Sequence, residues 1–380
     1  ALPILIRLLI LLLISAPAYA IVPKSIEYKN SRIHVIEFDP TNYEIKIAKS
    51  LGGGLGRENT LSIAKRENAI AAVNGSFFDI DGPNNGLPAF LLKLQNQVFA
   101  TPGKYSVAYL DSKTKLHIKQ IEAKPQVIVN GQKLPCSINM PQKNSSINIY
   151  SSAYHRSSLT NPNILEITVK EGNVTDISSK GNSIIPENGF VIAISNKHKF
   201  PLVKIGDKIA LDYRIPEEIK DVDYVISGSD ILLSNGRIID KQTGQFYNNL
   251  YARSSICRLK NNNIGLFVVE DGASNNIKNM PVKDILLFFS KLGYSRTQIL
   301  DMNINKLYEI YAKEARSSNY VGLSLDNFAH ALKQYGCIDA LNLDGGTSST
   351  MVYKGKIINN INFKPVEVSD AIIVTKKHPS

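Results

Sequence analysis

Apolar and polar residues alternate through residues 33–38 and again through 43–48, the period of a half-buried strand. Asp39-Pro40 between them predicts a hairpin-like strand pair. Three further hairpins are predicted where such runs meet a tight turn: Asn130-Gly131 after residues 127–129, Glu171-Gly172 after 164–169, and Asn235-Gly236 after 231–233. From Tyr105 to Tyr213 the chain reads mainly as strands of this kind. Short apolar runs at 70–73, 225–226, 265–269 and 340–343, the last interrupted by Asn342, predict buried strands. Helical spacing is rarer. Residues 61–67 predict a short helix, and Ile285, Phe288, Phe289 and Leu292 fit a second one opened by Pro281 and stopped by Gly293. Leu325, Phe328, Ala329 and Leu332 fit another between Ser324 and Gly336. Leu307, Ile310 and Tyr311 mark an added helix, so a helical insertion is expected at about 277–320. Ile299-Leu300-Asp301 and Leu341-Asn342-Leu343-Asp344 each follow one of the stopped helices, which suggests a duplicated helix-to-strand unit.

Four of the apolar runs end alike. After 340–343 come Asp344, Gly345, Gly346, Thr347, Ser348 and Ser349. Glycine tolerates positive φ and close backbone approach, so successive N–H groups here can form an anion-binding nest with the three hydroxyls as extra donors. Asp344 at its rim is a candidate general acid or base. The plain alternative is a turn whose Asp and Ser side chains satisfy their own backbone. Residues 70–73 run out into Asn74, Gly75, Ser76 and, further on, Asp79; residues 225–226 run into Ser227 and Gly228. The run 265–269 ends in Glu270 and Asp271, paired carboxylates that a site can split into an acid and a base. Arg253 precedes another strand, and its guanidinium offers a bidentate fork for phosphate oxygens. Strand ends gathered in one place are where mixed folds put their sites. Tyr150, Tyr154 and Arg156 either line a sugar site or pack.

Composition narrows the classes. With 43% hydrophobic residues the chain can build a sizeable core. Arg7, the apolar stretch 8–14 and Ala18-Tyr19-Ala20 predict a secretory signal over residues 1–20, with an uncleaved anchor as the alternative. The mature chain, 21–380, is then expected to be exported, periplasmic or secreted, with no stable membrane span. Formal net charge is +11, and +10 once Arg7 leaves with the signal. That favours anionic envelope polymers or phosphorylated sugars, while the lack of an arginine-rich run or interleaved aromatic platform speaks against nucleic acid. Cys136, Cys257 and Cys337 allow at most one internal disulfide. No cysteine and histidine spacing suggests zinc, and the six histidines are taken as surface or packing residues. No cofactor is demanded; carboxylates beside a phosphate site can bind a divalent ion, but no ligand spacing requires one. The glycines at 52–54 and 56 lack both the P-loop order and the dinucleotide-site context.

Residues 72–79, Ile226-Ser227-Gly228, Arg253 and residues 339–351, in that order, resemble the motifs of the phosphodiester glycosidase family. The resemblance runs from about Ile33 to Val374. It implies an α+β fold, with mixed sheets and flanking helices, whose motif loops meet at one cleft. It also implies hydrolysis of a sugar joined through its anomeric carbon to a phosphodiester, as in a GlcNAc-1-phosphodiester. Arg253 and the Gly345-Gly346-Thr347 nest would hold phosphate, Asp344 would exchange the proton at the bridging oxygen, and Asp79 or the Glu270-Asp271 pair would position water. The chain departs from the family pattern at Ser76, Ser229-Asp230, Ala273 and Thr347. A noncatalytic envelope protein that binds anionic glycopolymers through the same nest is the rival expectation.

Overall fold

The computed structural model describes residues 20–80, 82–141, 147–195, 199–239, 244–270, 282–314, 320–359 and 365–377. The signal predicted over 1–20 therefore lies outside them except for Ala20, and so do Asp271 and residues 277–281 and 315–319 of the expected insertion.

Three sheets enclose the central core. The first has seven antiparallel strands in the order Lys24–Tyr28, Ser31–Phe38, Ile264–Val269, Arg253–Leu259, Cys337–Asn342, Ile231–Ser234, Arg237–Ile238. A second, of five, runs Lys356–Ile357, Met351–Tyr353, Ala71–Asn74, Asp370–Lys376, Tyr43–Lys49. The third centres on Tyr224–Gly228 between Leu92–Leu94 and Gly103–Leu110. Ile36, Ile256 and Val268 from the first sheet, Val73 and Ile372 from the second, and Ile226 from the third share one apolar cluster. Each such fully buried side chain contributes about 1.5–3 kcal/mol relative to exposure.

Neighbouring positions on the same strands face outward into other clusters. Val35, Cys257, Phe267 and Val269 pack under Leu325, Phe328, Ala329 and Leu332 of the helix Leu325–Tyr335. Ser324 caps that helix by accepting from Asn327 N–H, and Gly336 ends it at φ 117°. With both faces covered, the strand Ile264–Val269 reads as an unbroken apolar run. The middle of the chain forms a separate cluster around Ile149, Ile167, Val169 and Ile192. The turns at Asn130-Gly131, Glu171-Gly172 and Asn235-Gly236 all take positive φ and join paired strands as expected.

Two expectations fail. The strands flanking Asp39-Pro40 do not pair: Ser31–Phe38 lies against Ile264–Val269, and Tyr43–Lys49 against Asp370–Lys376. Asp39 Oδ1 accepts from both the N–H and the hydroxyl of Thr41, making a corner that passes the chain from one sheet to the next. Nor is the helix-to-strand unit duplicated, because Ile299 to Asp301 belong to the helix Arg296–Asp301. Ser295 and Gln298 form a reciprocal capping box there, a local signal that outweighs the short apolar run. The added helix is present as Ile304–Glu314; Leu307 and Tyr311 join Phe288, Phe289 and Ile299 in a cluster of their own.

Candidate active site

The four runs do end together. Register places Arg253 opposite Val269 and Ser255 opposite Asn342, so Glu270 and the segment after Asn342 leave the first sheet at the edge where Arg253 enters it. Ser229 N–H donates to Asn342 O at 3.1 Å, which brings in the end of Tyr224–Gly228. Gly228 accepts no side chain, since a Cβ would stand 1.9 Å from Asn342 O. Asn74 completes the junction: its Nδ2 donates to Asp344 O at 2.7 Å, and its Oδ1 accepts from Ser254 Oγ at 2.7 Å and Thr350 N–H at 3.2 Å. Asp344 N–H donates to Gly75 O at 3.1 Å.

Asp344 is the centre of this arrangement. Protein atoms surround its carboxyl although part of the residue reaches solvent, and burial pushes its pKa up to about 7. Hydrogen bonds from the Ser348 side chain and from Gly345 N–H, the latter at 2.9 Å, pull the other way, while the charge of Asp370 raises it further. A carboxyl of that kind is partly protonated at neutral pH and can give as well as take a proton.

The nest is largely closed by the protein itself. Gly345 N–H goes to Asp344, Gly346 N–H to Ala252 O at 2.8 Å, Ser348 N–H to Gly345 O at 3.2 Å and Ser349 N–H to Gly346 O at 3.2 Å. The space a Cβ would take on Gly346 is open, and Thr347 is exposed beside it. Arg253 also differs from the expected fork. It is buried; Nε donates to Leu323 O at 3.1 Å and Nη2 to Phe246 O and Asn249 O at 2.8 and 3.1 Å. Its guanidinium lies 5.1 Å from the ring centroids of both Phe246 and Tyr251. The carbonyls of the 246–251 segment thus take donors that the phosphate was expected to use. Ser227 is turned inward as well, donating to Leu91 O at 2.6 Å.

Of the remaining carboxylates, Asp79 is exposed on the loop that follows Asn74. Glu270 is buried, with Oε1 2.6 Å from His34 Nε2. His34 is therefore the partner of a candidate site residue, beyond the surface or packing role expected of it. Tyr150 and Tyr154 pack with ring centroids 4.6 Å apart.

Sequence patterns missed Asp370, Lys49 and Ser254. Asp370 is fully buried, and Ser76 donates to it through its N–H at 2.9 Å and through its hydroxyl. Lys49, its register partner, is buried too, and desolvation pulls its pKa down to about 8 against the charge of Asp370. Apolar runs that end in polar residues were the signal followed, whereas Ser254 and Asp370 stand where strands begin. In antiparallel sheets, entrances share an edge with exits. Among the described residues no group of three or more His, Cys, Asp or Glu is placed to hold a metal ion. A cavity of about 320 Å³ opens between Tyr43, Tyr109 and Tyr224, at the strand ends opposite those carrying Gly228 and Asp370.

Fold and junction define an α+β protein with a carboxyl-centred candidate site at shared strand ends. The sequence profile of the phosphodiester glycosidase family matches residues 163–301 and 303–375, more than half of the chain, and the chain belongs to that family. The uncharacterized protein RC0079 of Rickettsia conorii is 22% identical over 234 residues, which cover 59% of this chain and 83% of that one. A hypothetical protein from Synechocystis has the same fold, with a TM-score of 0.72 at 18% identity over 93% of this chain. This chain spans only 61% of that protein's length. A Burkholderia pseudomallei protein provisionally described as exported follows at a TM-score of 0.66 and 16% identity, covering 90% of this chain and 74% of its own.

Proposed function

We propose that this chain is an exported phosphodiester glycosidase that frees a sugar from a GlcNAc-1-phosphodiester-like linkage in envelope or extracellular glycans. The observation that carries the proposal is Asp344: a carboxyl with a pKa of about 7, held at a junction of distant strand ends. When the anomeric C–O bond of such a substrate breaks, the leaving group is a phosphate monoester whose second pKa is about 6. An acid with a similar pKa is well matched to protonate that oxygen as it departs. Asp344 gives its proton to the bridging oxygen, water attacks the anomeric carbon, and a second carboxylate takes the proton from water. Glu270 and exposed Asp79 are the described candidates for that second role. The phosphate sits over the open side of Gly346 and Thr347, with Phe246 and Tyr251 as the wall that buried Arg253 holds in place.

Export is supported by the predicted signal and by the Cys257–Cys337 disulfide, a bond suited to an oxidising compartment. No helix among the described residues is long and apolar enough to cross a membrane. The test is release of free sugar from a GlcNAc-1-phosphodiester by the purified protein and by Asp344→Asn. Turnover is expected to drop by about 10²–10⁴-fold with the circular dichroism spectrum unchanged. Equal turnover in the variant removes Asp344 from the mechanism, and binding without any sugar release by either protein favours the noncatalytic glycopolymer reading.

A further inference from the structure

Asp370 opens the strand Asp370–Lys376 and is wholly enclosed. Three contacts tie it to the loop after Ala71–Asn74. Its carbonyl accepts Gly75 N–H at 3.0 Å, its Oδ1 accepts Ser76 N–H at 2.9 Å, and its Oδ2 accepts the Ser76 hydroxyl. The fit is tight enough that a Cβ on Gly75 would stand 1.9 Å from Asp370 Oδ1. That loop in turn grips Asp344 on both sides of its peptide unit, since Gly75 O accepts its N–H and Asn74 donates to its carbonyl. On the neighbouring strand, Lys49 Nζ donates to Ser369 O and Oγ, both at 3.0 Å, and to Gly86 O at 2.8 Å, a cation set beside Asp370.

Accepting the reading of Asp344 as proton donor, we infer that Asp370 is its positioning residue: a fixed, buried carboxylate that clamps residues 74–76 against Asp344 and sets a second negative charge beside it. The charges and donors facing the pair are few. Lys49 lies on the Asp370 side, Ser348 and Gly345 donate to Asp344, and Arg253 spends Nε and Nη2 on carbonyls. A second carboxylate charge in the same enclosed place opposes ionisation of Asp344 and keeps it an acid. Here burial and Asp370 act in the same direction on Asp344. A clamp of purely mechanical value would hold the loop without altering when Asp344 ionises, so the two roles separate by experiment.

Difference ¹³C carboxyl titrations against Asp344→Asn locate the Asp344 midpoint without any need for turnover. Asp370→Asn, which keeps size and removes charge, is expected to lower that midpoint by about one pH unit. Ser76→Ala, which keeps the charge and loses one bond, is expected to leave it near 7. Should Asp370→Asn fail to fold, Lys49→Met tests the same point from the other side, because loss of the offsetting cation is expected to raise the midpoint. A midpoint that moves in none of these variants, or that moves as far in Ser76→Ala as in Asp370→Asn, overturns the inference. An inactive protein whose midpoint follows Asp370 upholds the inference and sinks the glycosidase reading; an active protein whose midpoint ignores Asp370 does the reverse.

Discussion

Gly75 is required by space. Its neighbour Asp370 leaves no volume for a methyl group, and the loop it belongs to carries both backbone contacts to Asp344. Gly75→Ala is therefore expected to cost about 1–3 kcal/mol by forcing the loop away from Asp370. A lowered midpoint in urea unfolding checks this, and an unchanged midpoint speaks against the tight fit. Such residues differ in how far sequence revealed them. Asn74, Gly75, Gly228 and Asp344 stood out because each ends an apolar run in a residue that neither strand nor helix favours. Asp370 and His34 did not, since one opens and the other lies inside an ordinary strand, and Lys49, though it ends the strand Tyr43–Lys49, reads as a surface lysine; each meets a partner far away in sequence. Arg253 was visible as a residue but not in its bonding: which groups meet a guanidinium is decided by the 246–251 segment and by Leu323.

Elements built from neighbouring residues were the most legible. The three hairpins with Asn-Gly or Glu-Gly turns formed where the turn chemistry put them, and the helix Leu325–Tyr335 lies between the cap and stop its ends advertise. Pairing across long separations was not legible. Asp39-Pro40 looks like a hairpin turn, yet the flanking strands do not pair with each other, and each has a partner more than two hundred residues away. The disulfide belongs to this class: three cysteines left the pairing open, and it is Cys257 and Cys337, on adjacent strands and 80 residues apart in sequence, that bond. Closing a loop of that length removes about 4.5 kcal/mol of unfolded-state entropy in the chain-entropy account. Cys337→Ser is expected to lose stability of that order in denaturant unfolding, and a loss under about 1 kcal/mol would contradict it.

Across the whole molecule, the geometry of the candidate site rests on how three sheets share a core. Ile226, Ile256 and Ile372 meet in it, and two residues further along their strands stand Gly228, Ser254 and Asp370 at the site. The apolar interior thus aligns the polar edge, and burial at that edge raises Asp344 toward neutrality. The direction of the pH effect on the Asp344 limb follows from the proposal: a proton donor works while it holds its proton, so activity is expected to fall as pH rises through the pKa of Asp344. The decisive measurement is kcat/KM for a GlcNAc-1-phosphodiester across about pH 5–9, which reports ionisations of the free enzyme. A descending limb centred near pH 7, where Asp344 ionises, is the predicted result. A profile that stays level through pH 7 or rises across it would contradict the assignment of Asp344 as the acid.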